Sequence, residues 1–318
     1  MTNPINQQFA EDVRDGLSAE EKYLLSRWIY DEKGDKLFVQ IMNMPEYYLT
    51  DCELEIFSEK TDELIASLSK GFTGAFDVIE LGAGDGSKTI HLLRGLINGG
   101  FDFTYRPIDI SQHAIDSLNE KLKKELPDVA VDGMQGEYFE ALNRLPSEKP
   151  KVVLFMGSNI GNLFDARANS FLRKLSAVMN KEDKLLLGLD LKKDKEIVLP
   201  AYNDSQGITA AFNLNLLNRI NRELGGDFDV SNFEHTPIYD EEQGLAKSYL
   251  TAKRAHSVFI KALDQHFAFD SGERIFMELS RKYDDETLNS ITEHTDLVLA
   301  TKIYDNLEYF CDAIYIKK

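Results

Sequence analysis

The sequence predicts an α/β protein: a mainly parallel sheet with helices on both faces, joined to a second, smaller α+β lobe. Three observations carry this. Short apolar runs alternate with amphipathic helical stretches between residues 76 and 190, as βα repeats do. A glycine-rich turn, Gly82–Gly86, directly follows the first of these runs and precedes a helical stretch. After Asp190 the pattern changes to one long helix followed by alternating strands.

In chain order, CELEIFSEKTDELIASLSK (52–70) places Leu54, Phe57, Leu64 and Leu68 on one helical face. Thr50, with Glu53 three positions later, is read as a capping box that starts this helix. FDVIEL (76–81) is a strand and SKTIHLLRGLI (87–97) a helix; FTYRPID (103–109) is a strand and AIDSLNEKLKKEL (114–126) a helix. VAVDGMQGEY (129–138) contains a third strand, KVVLFMG (151–157) is a buried fourth, a helix follows near ARANSFLRKLSAVM (166–179), and KLLLGLD (184–190) is a fifth strand. Residues 208–226 are helical, the stretch from Lys247 to Phe269 is strand-like, and IFMELSRKY follows Gly272. LVLATKIYD (297–305) and YFCDAIYIK (309–317) read as an antiparallel pair returning to the main sheet. The division expected is 52–196 with 284–318 as a cofactor-binding domain, and 1–51 with 197–283 as the second lobe.

Composition narrows the function. The chain of 318 residues, 43% hydrophobic and 28% charged, is ordinary for a folded protein. No apolar run approaches the ~18 residues of a transmembrane helix, and the first residues carry no secretory pattern. Cys52 and Cys311 stand far apart, so a disulfide framework is not expected and a cytoplasmic location is. Six scattered histidines give no metal-ligand spacing. With 36 Lys and Arg against 54 Asp and Glu the formal charge is −18, a field that disfavours nucleic acid and anionic membranes. A small cationic or zwitterionic substrate and a monomeric protein are expected.

The turn Gly82-Ala83-Gly84-Asp85-Gly86 lets the backbone approach a ligand closely. Two adenine-bearing cofactors use such a turn. A dinucleotide fingerprint needs its third glycine at position 87, where this chain has Ser87, and this weakens the pyrophosphate reading. Glu80, just before the turn, suits a ligand bearing an ammonium and a sulfonium. Asp109, at the end of the second strand, can accept both ribose hydroxyls, and Glu137 and Tyr138 can meet the adenine edge and face.

Longer stretches are more specific: RWIYDEKGDKLFVQIMNMPEYYLTDCE (27–53), VIELGAGDGSKT (78–89), MGSNIGNL (156–163), LLLGLDLKKD (185–194), AYNDSQGITAAFNLNLLNRINRELGGDFD (201–229) and MELSRKY (277–283). Together they resemble the histidine-specific, S-adenosylmethionine-dependent N-α-methyltransferases of ergothioneine biosynthesis. The resemblance implies a Rossmann-like class I methyltransferase sheet with a smaller α+β substrate lobe, and S-adenosyl-L-methionine as cofactor. It implies cofactor contacts from Tyr30, Gly82, Lys88, Asp109, Glu137 and Tyr138, position 137 being more often Asp in the family. It further implies that Asn162 and Tyr202 hold the substrate carboxylate, that Tyr47 and Gly157 lie near the amine, and that Glu278 and Ser280 hold the imidazole. Glu278 and Ser280, two apart on a strand, share a face. Tyr30 and Tyr47 are the candidate proton relay, since no histidine is placed as a general base. At one place the chain departs from the family: Lys247 and Ser248 align with a Glu-Met pair whose Met lies near the substrate. Another amino acid or a sulfur-substituted histidine therefore stays open as substrate. A cofactor-binding protein without turnover is the alternative from another class.

Overall fold

The computed structural model describes residues 4–144 and 149–318. In chain order the helices and strands begin with α1 (Pro4–Ser18), α2 (Glu32–Met42), α3 (Tyr48–Glu59), α4 (Thr61–Ser69), β1 (Phe76–Leu81), α5 (Thr89–Asn98) and β2 (Phe103–Asp109). They continue with α6 (Gln112–Glu125), β3 (Ala130–Val131), β4 (Met134–Gln135), α7 (Tyr138–Arg144), β5 (Lys151–Phe155), α8 (Asp165–Val178) and β6 (Lys184–Asp190). Then follow α9 (Lys195–Val198), α10 (Ile208–Leu224), β7 (Phe233–His235), β8 (Ile238–Asp240), β9 (Leu245–Ala252), β10 (His256–Ile260) and β11 (Gln265–Phe269). The chain closes with β12 (Arg274–Arg281), α11 (Asp285–Thr292), β13 (Leu297–Tyr304) and β14 (Phe310–Lys317).

Two compact units result. One takes in Leu49–Lys192 and Arg281–Lys318; the other runs to Tyr48 and takes in Lys193–Ser280. These limits lie three or four residues from the expected division at 52, 197 and 284.

The first unit is the α/β body, a Rossmann-like sheet in the order β13-β14-β6-β5-β1-β2-β3, with β4 also pairing β2. β1, β2, β5 and β6 pair in parallel, and β14 joins β6 antiparallel, Phe310 facing Asp190. β1, β5 and β6 are buried along their whole length, which explains why they read as mainly apolar runs. The chain runs outward from β1 on the β2 side and resumes on the other side at β5, so the carboxyl ends of β1 and β5 flank a topological switch point, where open α/β sheets bind ligands.

The second unit packs α1, α2 and α10 on the sheet β12-β9-β7, with β8 paired to β9 and a β10-β11 hairpin alongside. β9 alternates half-buried and buried residues throughout, the mark of a strand with one covered face. Phe212, Leu216, Leu217 and Ile220 of α10 share a core with Leu250 and Ala252 of β9 and with Ile275 and Met277 of β12.

Three local expectations are corrected. The single helix at 52–70 is two, broken at Lys60. The Thr50–Glu53 capping box fails because the helix already starts at Tyr48, and Glu53 is 0% exposed with its carboxylate used elsewhere. The strand at 129–138 is two short pairings with β2, and Tyr138 opens a helix. Gly136, at φ +153°, turns the chain out of the ladder.

Candidate active site

β1 ends in the glycine turn, where Gly82, Gly84 and Gly86 hold φ of +76°, +53° and +64°. At Gly82 the demand is also steric: a Cβ there would lie 2.8 Å from Tyr138 Oη. The Gly82 N–H donates to the Ile108 carbonyl at 2.8 Å, so the turn is pinned across the ends of β1 and β2. Glu80 is only 2% exposed. It accepts from Thr89 Oγ1 at 2.7 Å and from the Tyr105 hydroxyl, binding the strand end to the first turn of α5. Burial raises its carboxyl to about 7 against the pull of these two donors and Lys88. Glu80 therefore acts inside the body of the unit, holding the turn.

At the end of β2, one oxygen of Asp109 accepts from the Ser111 N–H at 2.9 Å. Gly136 N–H donates to the Asp109 carbonyl at 3.0 Å, bringing Glu137 and Tyr138 to the same strand ends. Glu137 is exposed and Tyr138 half-buried. Burial, then the charges of Asp109 and Glu137, push the Tyr138 phenol up to about 12. Gly82, Asp109, Glu137 and Tyr138 thus form one group, with the Tyr138 ring edge-on to Phe155 at 6.1 Å.

Lys88, at the mouth of α5, pairs with Glu53 of α3. Burial lowers the ammonium pKa, but Glu53, with Asp312 and Glu80 adding, carries it above the ordinary lysine value. The Glu53 carboxylate also accepts from the Gly157 N–H, at 2.9 and 3.0 Å to its two oxygens. Sequence reasoning missed Glu53. A signal existed: Leu49, Glu53, Ile56 and Phe57 are all buried on α3, so an acid stands on the apolar stripe of a helix.

After β5 the chain turns at Gly157 (φ +70°) and Ser158 (φ +53°) into a short 3₁₀ turn, Asn159–Asn162. Ser158 Oγ accepts from the Asp190 N–H at 3.1 Å, and Gly161 is pressed against the Arg281 backbone, where a Cβ would lie 2.9 Å from the carbonyl oxygen. Asn162 stands exposed at the end of the turn.

The remaining candidates belong to the second unit. Tyr202 Oη donates to Ser280 Oγ at 2.8 Å, which joins two residues 78 apart. Glu278 and Ser280 lie on one face of β12, while Met277 and Leu279, which alternate with them, are buried on the other. Tyr30 is 38% exposed, and its ring meets Phe38 and Phe212 edge-on at 5.6 and 5.3 Å. The protein packed around its hydroxyl, then the neighbouring Glu278, Tyr47 and Asp35, hold its phenol well above the usual tyrosine value. Tyr30, Tyr47 and Glu278 are therefore electrostatic neighbours, and Tyr30, expected with the cofactor group, lies in the second unit with Tyr47, Tyr202 and Glu278. Ser248 is buried on β9.

The model of a family described as histidine-specific, SAM-dependent methyltransferase matches residues 9–317. A histidine N-alpha-methyltransferase of Mycolicibacterium smegmatis is 37% identical over 277 residues, which cover 87% of this chain and 85% of the relative. One of Mycobacterium tuberculosis is 36% identical, covering 86% of this chain and 83% of the relative. Ergothioneine biosynthesis protein 1 of Schizosaccharomyces pombe is 32% identical over 93% of this chain and 39% of its own length.

Proposed function

This chain belongs to the family of histidine-specific, S-adenosylmethionine-dependent methyltransferases, and from that premise we propose that it methylates the α-amino nitrogen of L-histidine, as a monomer acting on small molecules in the cytoplasm. The family match spans both units, and that observation carries the reading: the strand-end group around Gly82 and the polar face of β12 belong to one family pattern.

The strand ends fit the cofactor. Gly82 leaves a cradle that a Cβ would close against Tyr138 Oη. Asp109 and Glu137 offer carboxylates, which suit ribose hydroxyls and an adenine amine and repel phosphate. Gly82, Asp109, Glu137, Tyr138 and Lys88 would hold it from this unit, and Tyr30 is assigned to the same ligand. When bound, S-adenosylmethionine supplies an electrophilic methyl group on sulfur.

The residues of the chain have three tasks. Asn162 offers a neutral donor to the substrate carboxylate, and Tyr202 offers a second when its hydroxyl turns from Ser280 Oγ. Glu278 accepts an imidazole N–H, and Ser280, itself bonded to Tyr202, engages the other ring nitrogen. Holding the nucleophilic nitrogen about 3 Å from its target with the lone pair aligned supplies most of the acceleration. The amine must also lose its proton. Tyr30, kept protonated by its surroundings, acts as a neutral hydroxyl that accepts the amine proton while releasing its own by way of Tyr47 to solvent. Each neutral product retains a lone pair, so the same arrangement serves up to three transfers.

Mass spectrometry of the products after incubation with S-adenosylmethionine and histidine tests this. Histidine bearing one, two or three added methyl groups is expected. Methylation of tryptophan, tyrosine or a sulfur-substituted histidine with histidine untouched would overturn the substrate.

A further inference from the structure

We propose that Glu53 is a positioning residue for both ligands: one buried carboxylate holds Lys88 on the cofactor side and the Gly157 amide on the substrate side in a single geometry. The inference rests on the ligand assignments above and extends them to a residue that touches neither ligand.

The geometry is specific. Glu53 is 0% exposed and its two oxygens are shared between a lysine ammonium and a backbone N–H that stand on opposite sides of the switch point, after β1 and after β5. The room for it is made by Gly188 of β6, where a Cβ would lie 2.1 Å from Glu53 Oε1. Any side chain at 188 would expel the carboxylate. Facing Gly188 across the sheet is Asp312, also 0% exposed, and neither of its oxygens has a hydrogen-bond partner. Burial and the charge of Glu53 push Asp312 well above the usual carboxylate range, against the pull of Lys88. Of the acids around this lysine, Glu53 is the one that bonds it.

A simple core-filling role predicts lower melting temperature and fewer active molecules, with unchanged affinity in those that fold. A positioning role predicts changed binding constants for two ligands that Glu53 never meets. Glu53→Gln keeps the shape and one acceptor oxygen for Gly157 but removes the charge that fixes Lys88. Loss of one charge-assisted bond corresponds to about tenfold in affinity.

The test titrates full-length enzyme with S-adenosylmethionine by calorimetry and measures KM for both substrates and kcat. Glu53→Gln is expected to weaken cofactor binding about tenfold and to raise the histidine KM severalfold, and Glu53→Asp, which restores the charge, to recover much of the cofactor affinity. Should Glu53→Gln fail to fold, Glu53→Asp carries the test by itself: its shortened reach is expected to raise both constants roughly threefold or more. Unchanged constants for both ligands in a folded variant, with only kcat or melting temperature lowered, overturn the proposal and leave the ligand assignments standing. If the wild-type protein binds no S-adenosylmethionine, the assignments themselves fall, and the proposal with them.

Discussion

Replacing Glu278 by Ala tests the imidazole grip in the most quantitative way. Glu278 is half-buried on β12, its face shared with Ser280 and its charge felt by Tyr30. A hydrogen bond to a charged group contributes about 1.5–3 kcal/mol, which at about 1.4 kcal/mol per factor of ten is roughly 10- to 150-fold in the histidine dissociation constant. Glu278→Gln keeps an acceptor and loses only the charge, so a smaller loss of roughly tenfold is expected. Removing the charge also relieves one of the causes that hold the Tyr30 phenol high. A rise of the tyrosinate absorbance at lower pH is therefore expected in both variants. Calorimetric titration with histidine reads the affinity, and a thermal melt confirms that each variant is folded. Histidine affinity within twofold of wild type in folded Glu278→Ala would refute the assignment, whatever happens to turnover.

Three further outcomes are expected. Tyr202→Phe removes the donor to Ser280 Oγ, 2.8 Å away, and is expected to raise the histidine KM about two- to tenfold, the equivalent of 0.5–1.5 kcal/mol, with cofactor affinity unchanged by calorimetry. Gly82→Ala forces a side chain into φ +76° and against Tyr138 Oη; a cost of about 1–2 kcal/mol and a cofactor affinity lowered at least tenfold should appear in a thermal melt and a titration. The third concerns pH. Burial raises Glu80 from its ordinary 4.5 to about 7, so the folded state binds a proton there more tightly than the unfolded chain. Its contribution is full below about pH 4.5 and is lost as pH rises to about 7. Melting temperature measured across that window should fall less steeply in Glu80→Gln than in wild type, and parallel curves would refute this.

The legible parts of this protein are those governed by near neighbours in the chain. β1, β5 and β6 announce themselves because strands buried on both faces are mainly apolar. The glycine turn shows because positive φ is tolerated there by no other residue type as readily. The break of the 52–70 helix at Lys60 was hidden, since the apolar spacing runs on through it and only packing decides where a helix bends. Residues 130–135 read as part of one strand for the same reason, though they form two short pairings with β2.

The order and kind of the elements, the position of the turn, and the family pattern that names candidate residues are all written in the amino-acid order. These depend on interactions within a few residues of each other, where periodicity and backbone preference act. Only the tertiary structure decided that Tyr202 bonds Ser280 across 78 positions, that Glu80 turns inward to Tyr105 and Thr89, and that Glu53 leaves its apparent capping role to hold Lys88 and Gly157. A buried carboxylate must find partners wherever the fold brings donors, and sequence distance sets no limit on where that is.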